Sequence, residues 1–244
     1  MLMITDQTRR VILDGAENVR DLGGYPTNNG KMTRWGKYYR GDSLHRLTIT
    51  SQKTLYNLGI RTVIDLRFPN EGAYRFVDTV KIDYVNIPLH NPEQLKTEKP
   101  TNLVDLYRLI LETKQNPIRK IMQLLAAAED HAVLFHCKAG KDRTGVIAAL
   151  LLDVAGVPHN IIAEDYALTN RYRTITEEMV NDRPPFMDES QYRSLLQCHP
   201  EYMLEFLEYL GRRYQNAAGY LKTIGLHPDE IRMLKQHIVD DQPG

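Results

Sequence analysis

The 244-residue chain is predicted to form an α/β fold: a small central sheet flanked by helices, with a helical C-terminal half. Three observations predict it. Short apolar stretches that read as strands alternate with segments whose apolar residues recur every three or four positions. One of these stretches, Ala132–Phe135, is followed after a short polar loop by Val146–Leu152, which is apolar all round and reads as a buried helix. Beyond that helix the three-to-four period dominates. Strands alternating with helices imply a sheet covered on both faces.

In chain order, strands are expected at Val11–Leu13, Lys37–Arg40, Thr62–Leu66, Tyr84–Ile87 and Ala132–Phe135. Leu103, Leu106, Tyr107, Ile110 and Leu111 mark one helix. Ile118, Ile121, Met122 and Leu125 mark a second, with Asn116 as its N-cap and Pro117 as its first helical residue. The apolar helix should stop at Gly156, and Pro158 should open the next one, carrying Ile161, Ile162 and Tyr166. Helix-like segments at Ile175–Val180 and Glu201–Leu210 flank a break at Asp182–Phe186. Tyr202, Phe206 and Tyr209 form an ordinary core stripe. Residues 1–244 read as a single domain, with 171–199 either a lid over the site or a packed helical insertion. No repeat or low-complexity tract interrupts the chain.

The 31 basic and 31 acidic side chains balance, so no global field draws the chain to nucleic acid or an acidic membrane. Two cysteines, Cys137 and Cys198, make no disulfide framework and fit a reducing compartment. Cys198 reads as a packing residue, with a resolving partner for oxidised Cys137 as the alternative. No apolar run is long enough to span a bilayer, and Met1–Asp6 has no secretory pattern. A cytoplasmic location is expected, and export without a signal peptide stays open.

The chemistry lies in His136-Cys137-Lys138-Ala139-Gly140-Lys141-Asp142-Arg143-Thr144-Gly145. A loop between a strand's end and a helix's start gathers backbone N–H groups where the helix dipole is positive, and so binds a phosphate dianion. The same field favours a thiolate at Cys137. Arg143 adds a planar fork able to hold two phosphoryl oxygens.

The pattern His-Cys-x-x-Gly-x-x-Arg-Thr resembles the signature of the cysteine-dependent protein tyrosine phosphatase superfamily. Asn18–Tyr25, Tyr39–Asp42, Leu58–Arg67 and Glu164–Asn170 are similar to the bacterial atypical branch, which also acts on phosphoinositides and carries a Lys-Asp-Arg loop. The resemblance runs in order over about residues 15–172. It implies a phosphotyrosine phosphatase-like fold and phosphotyrosine proteins or phosphoinositides as substrates. The expected reaction is a metal-independent, cofactor-free hydrolysis of phosphomonoesters. The Cys137 thiolate attacks phosphorus and a phosphocysteine forms, which water then cleaves. The 138–143 amides and Arg143 stabilise the equatorial oxygens. His136 is expected to fix the loop, and Thr144 to donate to the sulfur.

The resemblance also implies Asp142 as general acid, with loop bracing or pairing to Lys141 as its other reading; Asp105 and Glu93 are the alternatives. No Trp-Pro-Asp motif exists, because the sole tryptophan, Trp35, precedes Gly36. Lys138 and Lys141 are expected at the rim, where they either meet further phosphates of an inositol ring or only tune the loop. Gly23–Gly24 suggests a turn at positive φ. Asp65 and Arg67 should hold neighbouring loops, and Asp165, Tyr166 and Asn170 should brace the phosphate loop from behind. Two other classes remain: a non-catalytic phosphate-binding module, and a sulfur-transfer or arsenate-reducing protein. The first usually loses the cysteine or the arginine; the second wants further reactive cysteines.

Overall fold

The computed structural model describes residues 9–71, 80–90, 102–181, 183 and 187–240. Glu93 and most of the break at 182–186 lie outside the described residues.

Five strands form the central sheet: β1 (Arg20–Asp21), β3 (Tyr38–Gly41), β4 (Ile60–Asp65), β5 (Asp83–Asn86) and β6 (Ala132–His136). Their order is β1-β3-β6-β4-β5, with β1 antiparallel and the rest parallel. A separate two-stranded ladder pairs β2 (Met32–Thr33) with β7 (Val239–Asp240). The register decides where the site lies. His136 pairs with Gly41 on one side and Asp65 on the other, so β3, β4 and β6 end at one edge. Loops leaving the carboxyl ends of parallel strands converge there.

Strand β6 is central and buried on both faces, which explains its unbroken apolar run. Val133 and Phe135 enter the larger core, whereas Ala132 and Leu134 enter the smaller one with Val63, Leu55 and Tyr39. The smaller core is covered by α1 (Ile49–Asn57). On the other face lie α2 (Leu103–Thr113), α3 (Gln115–Ala127), α4 (Asp142–Ala155) and α5 (His159–Ala167). The chain continues through α6 (Thr169–Tyr172), α7 (Glu177–Asn181), α8 (Glu189–Leu196), α9 (Pro200–Tyr214), α10 (Ala217–Thr223) and α11 (Pro228–Ile238). Helix α4 is buried continuously from Thr144 to Leu152, walled in by its neighbours, and stops at Gly156 with φ 82°.

Some expectations need correction. Val11–Leu13 is no strand; it makes only single bridges, Arg10 to Arg20 and Leu13 to Ala16, because Gly15 at φ 95° turns the chain back at once. Helix α3 starts at Gln115, two residues before Pro117, which sits inside the first turn where its missing N–H costs nothing. Pro158 is the residue before α5, not its first. Of Gly23–Gly24 only Gly24 has positive φ, at 73°.

Candidate active site

The loop from Cys137 to Lys141 leaves β6 and enters α4, and its carbonyls are held from behind one after another. Cys137 O accepts from His136 Nδ1 at 3.2 Å, and Lys138 O from Ser43 N at 3.2 Å. Ala139 O accepts from Asn18 Nδ2 at 3.0 Å, and Gly140 O from Arg40 Nη2 at 2.8 Å. In a trans peptide the N–H points opposite to the carbonyl. Four carbonyls tied to the scaffold therefore turn the amides of Lys138, Ala139, Gly140 and Lys141 the other way, into one concavity at the N-terminus of α4. That is an anion nest. Gly140 makes it possible: its φ is 67°, and a Cβ there would meet Gly41 O at 2.7 Å.

The scaffold behind the loop is a buried ion cluster. Asp165 Oδ1 accepts from Arg20 Nε at 2.9 Å, and Oδ2 from Arg40 Nη1 at 2.5 Å. Tyr25 donates to Oδ1 at 2.7 Å. Burial alone would push the Asp165 carboxyl up, but the two arginines outweigh it and hold it well below the usual carboxylate range. Arg20 also donates to Asn18 Oδ1 at 2.5 Å, fixing the amide that holds Ala139. Asn170 acts elsewhere. Its side chain accepts from Cys198 N at 2.8 Å and donates to Cys198 O at 2.9 Å.

His136 is fully buried, and burial pushes its imidazole down to about 4 even though Asp65 stands 3.8 Å away. It is neutral at pH 7 and serves the loop as a hydrogen-bond donor. Asp65 is itself locked to Arg67, with contacts of 2.8–3.0 Å, and Arg67 reaches Ser43 Oγ at 2.9 Å. These two residues tie the neighbouring loops, as expected.

At the mouth, Arg143 is met by a residue the sequence reading missed. Glu71, at the end of a 3-10 turn (Pro69–Glu71), takes Nη1 at 2.5 Å and Nη2 at 3.0 Å. Burial works against the Arg143 charge, but the Glu71 bond and the field of Cys137 outweigh it and keep the guanidinium protonated. A carboxylate gripping both terminal nitrogens orients the fork.

Cys137 is buried at the base of the loop. The two lysines part company. Lys138 is exposed, whereas Lys141 is 3% exposed and donates to Leu195 O, with Asp142 Oδ1 at 3.5 Å. Lys141 is therefore no rim residue; the C-terminal end of α8 sits over it. Asp142 stands in the first turn of α4 with its side chain 30% exposed, and accepts from Tyr107 Oη at 2.7 Å. Asp105 turns to Arg108 on its own helix at 3.5 Å. Thr144 Oγ1 is buried with no hydrogen-bonding partner among the described residues, Cys137 included, so the expected donation to sulfur is not made.

Over residues 11–240 the chain matches the model of a family described as the tyrosine phosphatase family. The chain belongs to that family. A tyrosine-protein phosphatase of Nostoc commune is 34% identical over 220 residues, covering 81% of this chain and 72% of that protein. The triple specificity protein phosphatase PtpB of Mycobacterium tuberculosis is 27% identical, covering 91% and 96%. A shorter match, 28% identical, links 33% of this chain with 46% of the inositol diphosphatase DSP4 of Arabidopsis thaliana. The protein is thus a protein-tyrosine-phosphatase-like enzyme. Among the described residues of this phosphatase, no helix is long and apolar enough to cross a membrane.

Proposed function

We propose that the phosphatase hydrolyses phosphotyrosine through a phosphocysteine on Cys137. The substrate phosphoryl group enters the nest, where the amides of residues 138–141 and the Arg143 fork meet its equatorial oxygens. Cys137 Sγ bonds to phosphorus as the ester oxygen leaves, taking a proton from Asp142. Water then attacks phosphorus, giving a proton back to Asp142, and the Cys137 thiolate departs with inorganic phosphate released. The observation that carries this reading is the run of four outward-tied carbonyls around Cys137. An array built to hold amides inward has its use in binding a dianion.

Lys138 is the exposed cation of the loop, and it supports a second substrate class with a further phosphate beside the reacting one. Two relatives' names, triple specificity phosphatase and inositol diphosphatase, support testing phosphoinositides alongside phosphotyrosine. Residues 1–244 form one domain in this reading. Segment 171–199 is a helical insertion fixed at its C-terminal end, a reading supported by the Lys141–Leu195 and Asn170–Cys198 bonds.

The test is turnover of p-nitrophenyl phosphate in EDTA by wild type and Cys137→Ser. The variant should lose more than about a thousandfold in kcat while still binding inorganic phosphate. Wild-type-like turnover in Cys137→Ser contradicts the reading. Phosphopeptides and inositides assayed side by side decide the substrate. If Lys138 reads a second phosphate, Lys138→Ala cuts inositide hydrolysis about tenfold more than phosphotyrosine hydrolysis, or about 1.4 kcal/mol. Matching losses make the enzyme tyrosine-directed.

A further inference from the structure

Tyr107 belongs to α2, far from the loop in sequence, and its apolar spacing gives it the look of a core residue. Its ring is packed as one, edge-on to Tyr166 at 6.2 Å and to Phe206 at 6.0 Å. Its hydroxyl does something else. It lies 2.7 Å from Asp142 Oδ1 and 2.6 Å from the hydroxyl of Tyr166. A carboxylate only accepts, so the single Tyr107 hydrogen goes to Asp142, which leaves Tyr166 as the donor in the contact between the two tyrosines, its hydroxyl also meeting Cys198. The three groups form one directed chain, Tyr166 to Tyr107 to Asp142. Both tyrosines are fully buried, and burial holds both hydroxyls well above their ordinary range, with the Asp142 charge adding to the effect. They remain donors throughout the working range of pH.

We propose that Tyr107 is the positioning residue for the Asp142 proton, deciding which carboxyl oxygen delivers it to the leaving group. The proposal rests on Asp142 being the general acid. Oδ1 receives the Tyr107 hydrogen and faces the Lys141 ammonium at 3.5 Å. An oxygen so placed is the poorer site for a further proton, so the transferable proton sits on Oδ2. The rigidity of the chain matters as much as its direction. Tyr107 is held by aromatic neighbours on α5 and α9, so the carboxyl plane at the start of α4 is fixed by elements on three sides. A general acid must keep its proton within hydrogen-bond reach of the departing oxygen, and a carboxyl free to rotate spends little time there.

The experiment compares phenyl phosphate, whose leaving group needs a proton, with p-nitrophenyl phosphate, whose leaving group departs with little help. Tyr107→Phe keeps the ring and removes the hydroxyl. It should lower kcat on phenyl phosphate by at least about tenfold and on p-nitrophenyl phosphate by less than about threefold, with KM little changed. In an Asp142→Asn background the same change should cost less than about twofold on either substrate, because the group it positions is gone. Tyr166→Phe leaves the Tyr107 hydroxyl in place, so it should show the same leaving-group pattern with a smaller loss; it serves also if Tyr107→Phe does not fold. Equal losses on both substrates, or a full loss persisting beside Asp142→Asn, overturn the positioning role while Asp142 alone still discriminates between leaving groups. A greater loss in Tyr166→Phe than in Tyr107→Phe overturns the order of the chain. If Asp142→Asn itself fails to discriminate, the general-acid reading falls and this proposal falls with it.

Discussion

The back and the mouth of the phosphate loop are built in opposite ways. Behind it, Asn18, Arg20, Arg40 and Asp165 form a buried network in which the carboxylate accepts from two arginines and Tyr25. At the mouth, Lys138 is exposed, Asp142 is half-open, and Arg143 is held by one carboxylate. The back braces the loop; the groups the proposed chemistry uses lie on the loop itself, with Cys137 buried at its base and Asp142 and Arg143 at its opening. Stability and reactivity should therefore separate by face. Substitutions behind the loop should show first in unfolding, and those at the mouth in kinetics.

The largest effect is expected at Asp165. Asp165→Asn leaves two buried arginines without their counter-charge, and should cost about 3–5 kcal/mol in denaturant unfolding. A loss below about 1 kcal/mol would break the comparison, because the back would then not hold the loop.

Acid should reach the back next, through His136. The unfolded chain takes up a proton as pH falls through about 6.5, whereas the buried imidazole refuses it until about 4. Its contribution is complete above the unfolded value and is lost progressively as pH falls toward about 4, on the order of 3 kcal/mol. Denaturant midpoints at neutral and mildly acidic pH should diverge in wild type and converge in His136→Gln.

Lys141 sharpens the comparison, because it lies in the loop by sequence yet belongs to the back by burial. Lys141→Ala removes a charge-assisted bond to the Leu195 carbonyl and should cost about 2 kcal/mol of stability. It should change the ratio of inositide to phosphotyrosine turnover less than Lys138→Ala does.

Glu71 should give the smallest effect, and a kinetic one. Glu71→Gln loosens the Arg143 fork and should lower kcat/KM about tenfold, about 1.4 kcal/mol, with unfolding shifted by less than about 1 kcal/mol. A stability loss exceeding the kinetic one would move Glu71 to the back.

Much of this was legible in the sequence, for physical reasons that differ by element. Four of the five expected strands appear, because apolar runs such as Ala132–Phe135 are buried whichever face they present. Helices α2 and α9 follow from spacing and α4 from a run that is apolar all round, and the stop at Gly156 follows from its left-handed conformation. The loop residues were legible as a set, because nest, thiol and guanidinium are contiguous. Side-chain partners across the fold were not. Glu71 follows β4, and only the parallel register of β4 and β6 brings it to Arg143. Tyr107 was visible only as one more residue of an apolar stripe, since spacing reports a ring's burial and says nothing of its hydroxyl. Lys141 was misplaced at the rim because the segment covering it, α8, lies more than forty residues on in sequence and has no buried residue of its own to announce it.

The central claim is that the carbonyl-tied nest serves a covalent phosphorylation of Cys137. The most direct measurement is a rapid denaturing quench of wild type during turnover of p-nitrophenyl phosphate, followed by peptide mass analysis. The account predicts a phosphoryl increment on the peptide carrying Cys137, absent in Cys137→Ser and before substrate is added. Steady turnover with no phosphoryl group on Cys137 at any quench time, together with undiminished activity in Cys137→Ser, would contradict it.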